Sequence, residues 1–133
     1  MSLDKIGVQI KMNNQSNEIN VKDSILLSIK KLLMIDPSYE VYDDDIIMHI
    51  NTTLSILTQM GVGKEGGLTI SDANNTWDEF IDLSNNDFNT IKSYVYLKVK
   101  LLFDPPQNSA LIESINNQIK EFEYRLYTCA GGY

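Results

Sequence analysis

Residues 88–103, FNTIKSYVYLKVKLLF, contain neither glycine nor proline. Two periodicities overlap in this stretch. Val95, Leu97, Val99, Leu101 and Phe103 alternate with other residues, as on a β-strand. Ile91, Val95, Val99 and Leu102 fall at helical spacing. Length arbitrates between the two, since strands average roughly 5–6 residues and helices roughly 11–12. A lone strand would also leave its backbone N–H and C=O groups unpaired, and the flanking segments read as helices. The stretch is therefore read as a helix, apolar around most of its circumference and buried on most sides, with the strand left as the alternative on the residues alone.

The neighbouring segments support an all-α chain. A first helix is expected over residues 21–34, with Ile25, Ile29, Leu32 and Leu33 as its stripe and Asp36–Pro37 as its stop. A second follows Asp43, Asp44 and Asp45. One of these carboxylates is expected to cap the helix and the others to favour its positive end. Ile46, Ile50, Leu54 and Leu57 share one face, widened by Ile47 and Met60, and Gly61 supplies a left-handed stop. Residues 61–75, GVGKEGGLTISDANN, read as a glycine-rich loop or short hairpin. Thr76 and Glu79 then form a T-x-x-E capping box for a short helix anchored by Trp77 and Phe80.

The last helix is expected over residues 109–128. Its stripe is Ile112, Ile115, Ile119, Phe122 and Leu126, and Glu121 and Arg125 form an i,i+4 pair on its flank. Between the last two helices, Asp104, Pro105 and Pro106 cannot continue a helix, so the chain turns there into an antiparallel hairpin. The expected architecture is a bundle of about four to five helices in one domain over residues 21–128. A polar arm at 1–20, in which Ile6, Val8, Ile10 and Met12 alternate, precedes it, and a frayed tail at 129–133 follows.

Composition narrows the function classes. No apolar run approaches the roughly 20 residues that span a bilayer, so no membrane role is expected. The opening MSLDKIGVQIKMNNQ shows no leader pattern. A net charge of −7 disfavours condensation on phosphate backbones, and with it sequence-specific nucleic-acid binding. The single Cys129 excludes an intrachain disulfide framework and, without motif context, points to no nucleophile.

Other motifs reduce to structural roles. Gly61–Gly66, GVGKEG, matches G-x-G-x-x-G, but that fingerprint needs a strand before it and a helix after it. Here a helix precedes and a loop follows, and Glu65 stands where a phosphate loop needs Ser or Thr. Asp43–Asp45 with Glu40 could suggest a cation site, but successive helix-start residues point in different directions. His49 has no second histidine to share a metal with. No catalytic set, cofactor or metal is expected. Lys92, Tyr96 and Lys100 share a helical face and, with Lys98, form a basic patch in an acidic chain. Its expected use is contact with the acidic surface of a neighbouring copy.

The blocks HINTTLSILTQMGVG, Trp77-x-x-Phe80, IKSYVYLKVKLLFDPPQNSAL and EFEYRL, in this order, resemble the head–tail connector (adaptor) proteins of tailed phages and Gram-positive prophages. The resemblance covers roughly residues 24–128. Its matching positions include Gly61, Gly63, Phe103, Asp104, Pro105, Pro106, Glu121 and Arg125; Tyr124 stands where the pattern has a tryptophan. The resemblance implies a non-enzymatic helical subunit at the virion head–tail junction, assembled in the host cytoplasm. It implies a ring, twelve-fold in the family pattern, beneath the capsid portal. Such a ring extends the DNA channel and docks the next connector or tail protein, and a lone copy is free to be monomeric. An acidic lumen would let DNA slide without sequence-specific contact. Two other readings stand beside it: a nucleotide-binding regulatory protein using the 61–66 glycines, and a generic intracellular helical interaction module.

Overall fold

The computed structural model describes residues 23–130. The expected arm at 1–20 and the last three residues of the expected tail lie outside the described residues. Among the described residues four α-helices follow in order: α1 (Ile25–Leu32), α2 (Asp43–Gln59), α3 (Phe88–Phe103) and α4 (Ser109–Cys129). A single 3₁₀ turn, Trp77–Glu79, lies between α2 and α3. The opening ambiguity resolves as a helix, because α3 is the element every other helix packs on.

Burial follows helical rather than strand spacing in α3. Ile91, Tyr94, Val95 and Val99 are buried, whereas Lys92, Tyr96, Leu97 and Lys98 are only partly covered. In α2 the stripe Ile46, Ile50, Leu54 and Leu57 is completely buried against it. At roughly 1.5–3 kcal/mol for each large aliphatic side chain removed from water, this seam is the chief source of stability. The stripe of α4 is thinner. Only Ile119 and Leu126 are buried, with Ile115 and Phe122 packed at the margin, so α4 lies along α3 as an outer helix.

Two helix ends differ from the sequence reading. The start of α2 has Tyr42 at the cap and no side-chain cap bond, so none of Asp43–Asp45 caps it. Asp43 is drawn instead to Lys30, 2.8 Å away. The first helix ends at Leu32, short of Asp36–Pro37. Met34 N–H donates to Lys31 O and Ile35 N–H donates to Lys30 O, the two bonds of a Schellman stop, with Met34 at φ +64°. The chain therefore turns before the proline becomes relevant.

Residues 61–75 carry no helix and no strand, yet they are built into the core. Val62 and Ile70 are buried with Trp77, Phe80 and Ile81. Asn51 on α2 holds this segment in register. Its amide nitrogen donates to Ile70 O (3.0 Å) and its oxygen accepts from Ile70 N–H (2.8 Å). The T-x-x-E box forms as expected, although the helix it starts is a single 3₁₀ turn.

Gly63 shows why a glycine is required there. It sits at φ +92°, and a Cβ would lie 2.8 Å from Cζ of the buried Phe80 ring. Gly63→Ala combines backbone strain with overpacking and should lower unfolding free energy by about 2–4 kcal/mol. Gly66 has a similar φ of +89° but open space around it. Gly66→Ala should therefore cost only about 1–2 kcal/mol. Urea titration of the two variants separates strain from clash; equal losses would remove the Phe80 contact as the cause.

Candidate functional site

The turn after α3 is assembled as the Asp-Pro-Pro sequence suggests. Asp104 N–H donates to Lys100 O, and Asp104 Oδ2 accepts from Lys100 Nζ at 2.8 Å. Two residues past Pro106, Asn108 caps α4 by accepting from the N–H groups of Ala110 and Leu111. The returning helix is held to α3 by the Tyr94 hydroxyl, which donates to Glu123 Oε2 at 2.8 Å. Burial pushes that hydroxyl well above the usual tyrosine range, and the Glu123 carboxylate adds to the effect. Glu121 and Arg125 pair at 2.6 Å on the exposed flank.

The four lysine-patch residues do not share one surface. Lys92 lies over the Phe88 ring, 5.3 Å from its centroid. Lys100 is engaged by Asp104. Tyr96 is partly exposed one turn from Lys92. Lys98 lies on a different side of the helix, since two residues advance the register by about 200°. Lys92 and Lys98 make no ion pair among the described residues. The whole of α3 carries three lysines and no carboxylate, so the helix is locally cationic within an acidic chain.

Sequence reasoning missed a second surface at the C-terminal end of α3. Here the loop 33–42 joins α1 to α2. Tyr39 meets Tyr42 at a tilt of 60° and Tyr42 meets Phe103 edge-on, with centroids 5.6 and 5.3 Å apart. An open groove of about 550 Å³ runs beside them, lined by Leu33, Ile35, Tyr42, His49, Leu102 and Phe103. Met34, between the lining residues Leu33 and Ile35 in sequence, is 93% exposed, and Val41, next to Tyr42, is 71% exposed. From Leu32 to His49 the chain has five carboxylates and no lysine or arginine. Asp45 and Asp104 also line the groove, so the surface sets apolar side chains beside carboxylates.

The loop that presents it is held from inside. Lys30 is completely buried, and its ammonium donates to Pro37 O (3.1 Å) and Tyr39 O (2.7 Å). Asp43 Oδ1 lies 2.8 Å away without hydrogen-bond alignment, so that contact is chiefly ionic. The sequence does carry a trace of this: Lys30 falls one turn after Leu26 on the apolar side of α1.

The glycine segment offers no phosphate cradle. It ends a helix rather than following a strand, and no helix begins after it. Lys64 Nζ is taken up by Asp78 O. The neighbouring cavity of about 310 Å³ places Asp82 and Asp87 beside Lys64, so a phosphate there would face two carboxylates. No group of three or more potential metal ligands is present among the described residues. Among them, too, no helix is long and apolar enough to cross a membrane.

Residues 25–132 match a family model described as phage connector protein. No curated protein and no solved structure matches the chain.

Proposed function

The chain belongs to the phage connector protein family, and from that premise we propose that it forms a ring beneath the capsid portal. The ring extends the DNA channel at the head–tail junction and docks the next connector or tail protein. The match across nearly all the described residues carries this reading. The all-α bundle fits it, because subunits of a closed ring need two unlike surfaces, and a heterologous contact closes when its rotation allows. An acidic lumen suits DNA passage without sequence-specific binding, and the net charge of −7 supports it. Of the proposed contact residues on α3, Lys92 with Tyr96 on the same face forms the positive side of the subunit contact, whereas Lys98 lies on another side and Lys100 is held by Asp104. The protein works by assembly rather than catalysis.

Mass photometry and electron microscopy of the purified protein, alone and with the portal protein of the same phage genome, test this. Rings, or rings seated on the portal, are expected. A protein that neither self-assembles nor binds the portal would sink the reading.

A further inference from the structure

We propose that the apolar and acidic end around Met34 and Val41 is the surface by which one copy grips the lysine-bearing helix α3 of the next copy, at Lys92 and Tyr96. The proposal rests on the ring reading and adds which two faces meet.

Three observations carry it. First, Met34 occupies a left-handed helix stop at φ +64° with its side chain 93% exposed. Glycine would fill that position without the steric penalty that any Cβ meets there. Among the described residues no hydrogen bond or buried contact uses the thioether, and strain maintained at an exposed apolar side chain points to use outside the subunit. Second, the loop is preorganised. The buried Lys30 ammonium fixes the carbonyls of Pro37 and Tyr39, so docking does not have to order a mobile segment.

Third, charge identifies the occupant. The segment from Leu32 to His49 has five carboxylates and no lysine or arginine, while α3 has three lysines and no carboxylate. Inside one subunit these charges are only partly matched: Lys30 meets Asp43 and Lys100 meets Asp104. Lys92, which has only the Phe88 ring against it and no ion pair among the described residues, is left for a surface of the opposite sign, and the matching surface is the acidic end of another copy. Complementary charge on two unlike faces sets both register and direction of assembly.

The test uses full-length protein, free and on immobilised portal, with assembly read by sedimentation velocity and by copies bound per portal. Met34→Gly relieves the strain and removes the contact together. It should melt about 3–5 °C higher yet weaken assembly about tenfold or more, a split that a folding defect cannot produce. Met34→Asp with Val41→Asp should abolish assembly with the circular dichroism spectrum unchanged, and so should Lys92→Glu with Tyr96→Ala. Mixing these two double variants leaves one intact contact per pair, so they should form dimers and nothing larger. If the wild type assembles in neither setting, both the ring reading and this proposal fail. If the wild type assembles and the Met34 and Val41 variants assemble equally well, the proposal fails and the ring reading stands. Single-face variants that do not pair when mixed would also overturn it.

Discussion

Lys30→Ala should lower the melting temperature by about 10–20 °C, corresponding to roughly 3–5 kcal/mol for removing one partner of a buried ion pair. The side chain is completely buried, and its ammonium serves two carbonyls and a carboxylate at once. Alanine leaves the Pro37 and Tyr39 carbonyls without their donor and the Asp43 carboxylate without its counter-charge. Each orphaned acceptor costs about 1–3 kcal/mol if it stays dry, so the loop 33–42 is expected to open towards water. That opening is local, and it should appear as faster amide exchange at residues 35–39 even where the bundle survives. A double-mutant cycle with Asp43→Asn isolates the ionic part, because neighbouring sites couple and their losses do not add. Should Lys30→Ala melt within a degree or two of the wild type, the ammonium is not what holds the loop.

That loop also marks where the sequence stops being legible. The seams of α2, α3 and α4 could be read because a residue's burial in a helix repeats with the helix itself, and Ile46, Ile50, Leu54 and Leu57 repeat without interruption. The double periodicity of α3 could be read only by length, and its central place in the bundle accounts for the apolar excess. The loop 33–42 has no period. Its conformation depends on a lysine reaching carbonyls seven and nine residues away. The stop at Met34 was hidden because the left-handed position normally announces itself with glycine. Asn51 was equally silent, since the Ile70 backbone it holds is 19 residues away. As for the candidate surfaces, the lysines of α3 were visible as segregated charge. That Lys98 leaves their common face follows from the helical register, but that Lys100 is occupied by Asp104 needed the geometry. The facing patch was invisible, because whether Met34 and Val41 point to solvent depends on how the loop is pinned.

Trp77→Ala should be as damaging as Lys30→Ala, costing about 3–5 kcal/mol by the usual range for aromatic truncation in a core. Trp77 is 1% exposed and packs edge-on against Phe88 of α3 at 5.9 Å. Its indole N–H donates to Ser28 Oγ of α1 at 2.9 Å, and that hydroxyl in turn donates to Ile25 O. One side chain thus ties the segment between α2 and α3 to two helices. The backbone beside it is stitched to the same place, with Ile25 N–H donating to Asn75 O at 3.0 Å and an isolated bridge joining Ser24 to Thr76. Domains of this size are stable by only about 5–15 kcal/mol, so the loss approaches the whole margin at the lower end. Trp77→Phe separates the two contributions. It keeps most of the apolar contact and gives up the indole hydrogen bond, worth about 1 kcal/mol because Ser28 retains its bond to Ile25. Trp77 is the sole tryptophan, so wild-type unfolding can be followed by fluorescence and the variants by far-ultraviolet circular dichroism. Trp77→Ala is expected to lose its cooperative urea transition or shift it far lower, with Trp77→Phe intermediate. If Trp77→Ala kept a midpoint near that of the wild type, the 3₁₀ turn would be a surface feature of the bundle rather than the clasp that closes it.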